Sequence, residues 1–313
     1  MNRQQMIDAA REILAKTGFY LSQRLDTRRI SFDFVARRDD MLLVTKVLLN
    51  IDSLGRKRSQ ELKMIASCLE GTPLILAGKS GAGKLEGGAI YSRFGIPTLT
   101  VGTFTDIFVE GVPPFMFSAP GGLYVKLDGS ILRRARERKS ISLGTLAEIA
   151  GVSRRTIQMY EDGMGATVDV ALKLEEFLGQ PIVQAVDPFH LKPDADEIMM
   201  SWNRLDQFER DVFGHLSMLG YSIVPTVRCP FDAVTRDKKV ILLTGLERRE
   251  SDLSTKAKVV ANISSVVEKD SVIFVRRLTV KRNIEGTPII RDEELKKVKD
   301  REEMLDLISE RKK

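Results

Sequence analysis

The chain has 313 residues, 43% apolar and 29% charged, enough for two or three domains with cores of their own and incompatible with broad disorder. Its net charge of +6 spreads as +4 over residues 1–122, +1 over 123–186 and +1 over 187–313, so no segment is a strongly basic module and charge alone assigns no partner. Two distant cysteines, Cys68 and Cys229, exclude a disulfide framework and a zinc finger, and with only His190 and His215 neither a His-rich metal site nor a Ser-His-Asp hydrolase is expected.

The chain opens MNRQQMIDAAREIL, charged where a secretory leader would be apolar. No apolar run approaches the ~18 residues of a membrane span, so a soluble, cytoplasmic protein without membrane contact is expected. The first helix ends at Gly18-Phe19, a pair that suits a C-cap leading into a strand. Residues 32–48, FDFVARRDDMLLVTKVL, read as a strand, a tight charged turn at Arg38-Asp39-Asp40, and a nearly continuous apolar strand buried on both faces. A helical stretch over about 55–70 follows, then a short apolar strand at Leu74–Ala77, then Gly95-Ile96-Pro97-Thr98-Leu99 ahead of another helix.

Within this region Gly78-Lys79-Ser80-Gly81-Ala82-Gly83-Lys84 follows an apolar strand, as a phosphate-binding P-loop does. A working P-loop needs Ser or Thr after its Lys to hold Mg²⁺, then a helix whose N-terminus faces the phosphates. Leu85 takes the first place and Glu86-Gly87-Gly88 the second. A flexible basic surface loop is expected instead, with Lys79 and Lys84 able to touch a nucleic-acid phosphate.

Gly111-Val112-Pro113-Pro114 with Ala119-Pro120-Gly121-Gly122 is the densest Pro/Gly cluster and marks a boundary. A second runs from Gly179-Gln180-Pro181 through Asp187-Pro188 to Lys192-Pro193-Asp194. Three domains are expected: 1–122, 123–186 and 187–313.

The middle segment carries the strongest pattern, SILRRARERKSISLGTLAEIAGVSRRTIQMYEDGMGATVDVALKLEEFLG over 130–179. Its first helix turns Ile131, Leu132 and Ala135 inward and Arg133, Arg134, Arg136 and Arg138 largely outward. Ser142 caps a short helix over 143–149, Gly151 supplies a sharp turn, Ser153 caps a helix over 154–161, and Gly163 ends it. Leu146, Ala150, Val152, Ile157 and Tyr160 form one apolar side, with the small Ala147 where two helices cross. That spacing is a helix-turn-helix. Net charge is +5 over 131–155 and −4 over 156–186, which polarises the segment and would orient it on phosphate.

SLGTLAEIAGVSRRTIQMYEDG and the apolar helix after it resemble the phage-repressor (Cro/repressor, XRE-like) helix-turn-helix family over about sixty residues. The resemblance implies that Arg154, Arg155, Gln158 and Met159 meet base edges, and that Ser142, Ser153 and Thr156 meet phosphates through hydroxyls and helix N-termini. Arg suits a bidentate contact with guanine and Gln one with adenine. The whole arrangement also resembles a family of archaeal HTH-type transcriptional regulators.

Residues 231–247, FDAVTRDKKVILLTGLE, repeat the pattern of 32–48 without a gap. Phe231, Asp232, Val234, Arg236, Leu242 and Thr244 fall opposite Phe32, Asp33, Val35, Arg37, Leu43 and Thr45. The surroundings repeat too: Gly220-Tyr221 before, a helix over 252–267 and a strand at Val272–Val275 after, then Gly286-Thr287-Pro288-Ile289-Ile290 and a helix. The order and the Asp on the second strand resemble the PD-(D/E)xK nuclease-like superfamily. That resemblance implies a divalent metal held by the Asp and by the Glu of a Glu-x-Lys on the next strand. Here the second motif reads Val44-Thr45-Lys46 and Leu243-Thr244-Gly245, without the Glu in either copy. Glu247 lies on the same face as Gly245, but no Lys follows it. A degenerate, catalytically inactive nuclease fold is expected, with no metal, cofactor or catalytic residue.

The fold class expected is multidomain α/β plus all-α, a central helix-turn-helix bundle flanked by two similar α/β domains. The function expected is a sequence-specific, double-stranded-DNA-binding transcriptional regulator, not an enzyme. One such helix reads too few base pairs for genomic specificity, so a homodimer on an inverted repeat is expected. The flanking pair would supply dimerisation, backbone contact or the site of an unidentified effector. The alternative is a nucleic-acid-processing enzyme with active nuclease-like outer domains. A third reading, a helix-turn-helix kept only for a protein partner, is disfavoured by Arg154-Arg155 at the base-reading positions.

Overall fold

The structure, a computed structural model, describes residues 1–25, 30–189, 205–276 and 281–312. Helix α1 (Arg3–Lys16) passes through Gly18, at φ 84°, into strand β1 (Tyr20–Leu21). Strands β2 (Phe34–Arg38) and β3 (Met41–Asn50) form the expected hairpin, Phe34 opposite Thr45 and Ala36 opposite Leu43. Helix α2 (Arg56–Cys68) leads to β4 (Thr72–Ser80), β5 (Gly83–Lys84), β6 (Ala89–Arg93) and β7 (Ile96–Leu99). Helix α3 (Val101–Thr105) precedes the hairpin of β8 (Met116–Ala119) and β9 (Gly122–Leu127).

Four helices follow: α4 (Gly129–Arg138), α5 (Leu143–Ala150), α6 (Arg154–Glu161) and, after the short β10 (Ala166–Thr167), α7 (Val168–Leu178). Strand β11 (Val183–Gln184) closes this part. The C-terminal part runs α8 (Gln207–Met218), β12 (Ser222–Pro225), β13 (Ala233–Arg236), β14 (Ile241–Glu247) and α9 (Glu250–Val267). It ends with β15 (Asp270–Val275), β16 (Asn283–Ile284), β17 (Thr287–Arg291), α10 (Asp292–Leu295) and α11 (Arg301–Lys312). The mixed α/β character expected from the sequence is what the structure has. Among the described residues no helix is long and apolar enough to cross a membrane.

The chain folds into two compact units that interleave in sequence. One comprises Met1–Ile13, Leu48–Leu54 and Ile75–Asp194, the other Leu14–Val47, Gly55–Leu74 and Ala195–Lys313. In the first unit β4 lies parallel to β7, β6 antiparallel to β7, and β6 parallel to β8 through Ala89 and Met116. Strand β9 pairs with β8 on one side and with both β10 and β11 on the other. Within the Pro/Gly stretch, Ala119-Pro120-Gly121-Gly122 is the turn of the β8–β9 hairpin, Ala119 opposite Gly122, and β9 carries Val125 and Leu127 into the core of the four helices. Of the second Pro/Gly stretch, Lys192-Pro193-Asp194 lies outside the described residues.

In the second unit six strands run β12-β13-β14-β15-β17-β16, antiparallel at the edges and parallel at β14–β15 and β15–β17. Successive residues of β15 serve opposite faces, as strand geometry requires. Val272 and Phe274 pack with Phe208, Phe213, Met304 and Ile308, whereas Ile273 and Val275 pack with Leu253 and Ala257 of α9. Both faces are covered, which explains the unbroken apolar runs. The β2–β3 hairpin as far as Val47 and α2 belong to this unit as well. Ser31 N–H donates to Arg228 O at 2.9 Å, and Glu61 Oε1 accepts from the N–H groups of Val227 and Arg228 at 3.1 and 2.9 Å.

Candidate nucleic-acid interface

Helix α4 starts where Asp128 Oδ1 accepts from Ile131 N–H at 2.9 Å, and Gln184 donates to Asp128 Oδ2 at 2.7 Å. Hydrogen bonds from Ser130 and Ile131 hold this carboxyl below its ordinary range. Ser142 caps α5 by accepting from Thr145 N–H at 3.0 Å, and Ser153 caps α6 by accepting from Thr156 N–H at 3.0 Å. Between the two helices Gly151 sits at φ 70°, the left-handed turn that its position predicts. Leu146, Ala147, Ala150, Ile157 and Tyr160 are buried together, so the two helices are locked into one rigid angle.

What this leaves outside is specific. Arg154, Arg155, Gln158 and Met159 are exposed on one face of α6. Ser142 and Ser153 are exposed at the N-termini of α5 and α6, and Thr156 is half-buried with its hydroxyl 2.8 Å from that of Ser153. All seven residues singled out in the sequence therefore lie on the start of α5 or on α6. Arg154 and Arg155 have no hydrogen-bond or ion-pair partner among the described residues. Two helix N-termini with capping hydroxyls and a row of exposed donors can accept phosphates and base edges together.

Two contacts that no periodicity announces shape this face. A Cβ at Gly144 would lie 2.9 Å from Arg154 Nε and 3.0 Å from its Nη2, so the guanidinium rests on the bare backbone of α5. A Cβ at Gly129 would lie 2.2 Å from Glu161 O, so the start of α4 touches the end of α6.

The basic face expected over 131–155 is smaller than its charge count. Arg136 is half-buried, and its Nε donates to Glu161 Oε1 at 2.6 Å; Arg133 Nε donates to Glu161 Oε2 at 3.1 Å and its Nη2 to Asp162 Oδ1 at 3.2 Å. The Glu161 side chain is 3% exposed, so it does not face outward in an acidic half as its charge suggested. These arginines clamp α4 to α6. The buried acid two residues before the Gly163 turn was the available signal, because an acid on the apolar side of a helix requires a cation.

The nuclease-like positions are also clear. Asp33 is fully buried; Val47 N–H donates to its Oδ2 at 2.7 Å and Lys46 Nζ to its Oδ1 at 3.3 Å. Lys46 Nζ also donates to Ile30 O at 2.6 Å. Asp232 accepts from Leu246 N–H at 2.6 Å, fourteen residues on as Val47 is from Asp33, and from Lys256 Nζ at 2.6 Å. Burial raises the Asp232 carboxyl above its usual range, with Lys256 and the Leu246 amide pulling the other way. Lys256, on the inner side of α9, was missed in the sequence; it stands 4.0 Å from Glu247 Oε2. Among the described residues no three His, Cys, Asp or Glu side chains are grouped to hold a metal ion. The Gly-rich run is no P-loop. It is the β4–β5 hairpin, and strand β6 follows it instead of a helix.

Fold and site together define a helix-turn-helix protein joined to a nuclease-like α/β scaffold. The comparisons with known proteins agree: a PD-(D/E)XK superfamily domain matches residues 3–114 and a helix-turn-helix matches 132–184. A relative from Methanosarcina mazei is 38% identical over 100% of this chain and 98% of its own, and one from Methanosarcina acetivorans is 36% identical over the same shares. One from Archaeoglobus fulgidus is 33% identical over 98% and 97%. Each bears the name "Putative HTH-type transcriptional regulatory protein", and the chain belongs to this archaeal family. No solved structure matches the chain.

Proposed function

We propose that the protein is a cytoplasmic, sequence-specific transcriptional regulator that binds an inverted-repeat operator as a homodimer through α6. The observation that carries this reading is the exposed set Arg154, Arg155, Gln158 and Met159, presented beside two serine-capped helix N-termini. In it Arg154, Arg155, Gln158 and Met159 read base edges, while Ser142, Ser153 and Thr156 hold phosphates and fix the register. A dimer would place two such helices about 34 Å apart, one helical turn of DNA. In-vitro selection on random duplexes tests the reading: an enriched palindrome supports it, and no enrichment at moderate salt sinks it.

We further propose that residues 187–313 repeat the nuclease-like segment 1–122 on either side of the helix-turn-helix segment 123–186, and that neither copy cleaves nucleic acid. The repeated Asp-to-amide bond supports the first statement. The ammonium group sitting against each aspartate, where a metal would have to enter, supports the second. Active nuclease-like domains remain the rival, because Asp232, Glu247 and Lys256 converge in the second copy. Mn²⁺-dependent cleavage of duplex or four-way junction, abolished by Asp232→Asn, would establish the rival.

A further inference from the structure

The Gly-rich run plays no part in that reading, yet it walls a cavity of about 890 Å³ in the unit that carries the helix-turn-helix. The volume is that of a small-ligand site. Lys79 and Lys84 are direct register partners on β4 and β5, so both side chains leave the hairpin on one face, and both are exposed. Like charges opposite each other on antiparallel strands repel. Neither lysine has a side-chain partner among the described residues; Glu86, also on the wall, pairs with neither. The floor is apolar: Met6, Leu49, Leu85 and Val101 line it, with Leu49 44% exposed. Two unneutralised cations over an apolar floor fit one kind of ligand, an anion with an apolar body.

The wall is also wired to the helix-turn-helix. Gly88 N–H donates to Thr103 Oγ1 at 2.9 Å, and that hydroxyl lies 2.9 Å from Thr100 Oγ1 on the cavity wall. The next residue, Ala89, pairs with Met116 of β8, Met116 pairs with Val125 of β9, and Val125 lies in the four-helix core. A ligand that shifts Gly87 and Gly88 therefore shifts the ladder on which that core is built.

We propose that this cavity binds an amphiphilic anion, its phosphate or carboxylate between Lys79 and Lys84 and its alkyl or aryl body over Leu49 and Val101, and that occupancy is passed along β6, β8 and β9 to the helix-turn-helix as an effector signal. The effector role rests on the regulator reading; the binding does not. The test uses the full-length protein and octyl phosphate as probe, with inorganic phosphate and octanol as half-ligand controls. Calorimetry should show octyl phosphate binding at least tenfold tighter than either control, and Lys79→Glu or Lys84→Glu should each weaken it at least tenfold. The same reversals should raise the ligand-free melting temperature, because opposite charges then face each other; a merely structural lysine would lower it. Octyl phosphate should also change affinity for a selected duplex at least threefold in the native protein and not in Lys84→Glu. No octyl phosphate binding, or equal binding by Lys84→Glu, overturns the site. Binding that leaves duplex affinity unchanged overturns the effector role. Lysine reversal that weakens duplex binding without any probe would make the pair a DNA-phosphate contact and overturn the proposal. Should selection yield no duplex, the regulator reading fails while calorimetry still decides the site.

Discussion

Gly144→Ala separates stability from recognition. Glycine inside a helix is worse than alanine by about 1 kcal/mol, so the substitution should stabilise α5, by somewhat less at this early helical position. The new methyl would stand 2.9 Å from Arg154 Nε and 3.1 Å from Cζ, against an optimum of about 3.5–4.0 Å, and its three nearest atoms all belong to the guanidinium. Arg154 must swing off α5. A bidentate arginine–guanine pair is worth about 1–3 kcal/mol of discrimination, roughly ten- to a hundredfold. The mutant should thus melt higher by a few degrees yet lose much of the preference that Arg154→Ala loses. Thermal melts by circular dichroism and competition between selected and scrambled duplexes measure the two quantities. A Gly144→Ala protein with full preference, beside an Arg154→Ala protein without it, would show that the resting place of Arg154 on α5 has no part in recognition.

Gly129→Ala has no soft neighbour, because its methyl would meet the backbone of Glu161 at 2.2 Å; a loss of at least about 2 kcal/mol in denaturant titration is expected, and an unchanged midpoint would refute the close approach. The buried Thr45 hydroxyl has no partner among the described residues, whereas Thr244 donates to Thr235 Oγ1 at 2.8 Å. Thr45→Val should stabilise by about 1 kcal/mol and Thr244→Val destabilise by a similar amount; the same sign for both would contradict this. Burial pushes the Glu294 carboxyl up, but hydrogen bonds from Arg311 and Arg291 outweigh it and hold the group at about 2. A folded value below the unfolded one contributes stability above pH ~4.5 that is lost as pH falls through about 2. Glu294→Gln should therefore flatten the acid limb of the stability–pH curve, by about 1–2 kcal/mol after solvent screening, and an unaltered limb would show the cluster to be inconsequential.

Which parts of this molecule could be read in advance follows the reach of the interactions. Ser142 and Ser153 bond three residues ahead, Gly18 and Gly220 turn the chain where they stand, and β3 is one nearly unbroken buried run. Each is local, and each was legible. The Gly129 and Gly144 contacts, the Glu161 clamp and Lys256 against Asp232 join residues ten to thirty-two apart on different elements, so spacing within one element cannot reveal them. The Pro/Gly run at 119–122 shows the same limit. Glycine and proline mark a turn, but they do not say whether the strands beside it pair with each other.

The two aspartates make the last step. A carboxylate inside a sheet is costly unless its oxygens are met, and a nuclease meets them with metal. Here the next strand meets them. Asp33 bonds the amide of Val47 and Asp232 that of Leu246, while the aspartate N–H donates across the hairpin to Thr45 O and Thr244 O, each at 2.8 Å. One residue thus pins two adjacent strands at two points and fixes their register. An ammonium group completes the charge balance, and it comes from two different elements: Lys46 on β3 beside Asp33, and Lys256 on α9 beside Asp232, where Gly245 leaves the strand position bare. A neutralising lysine need only reach the carboxylate, and either element allows that. The two placements fit a structural duty for the aspartates, and Asp33→Asn and Asp232→Asn test that duty: it predicts lost stability with no change in cleavage.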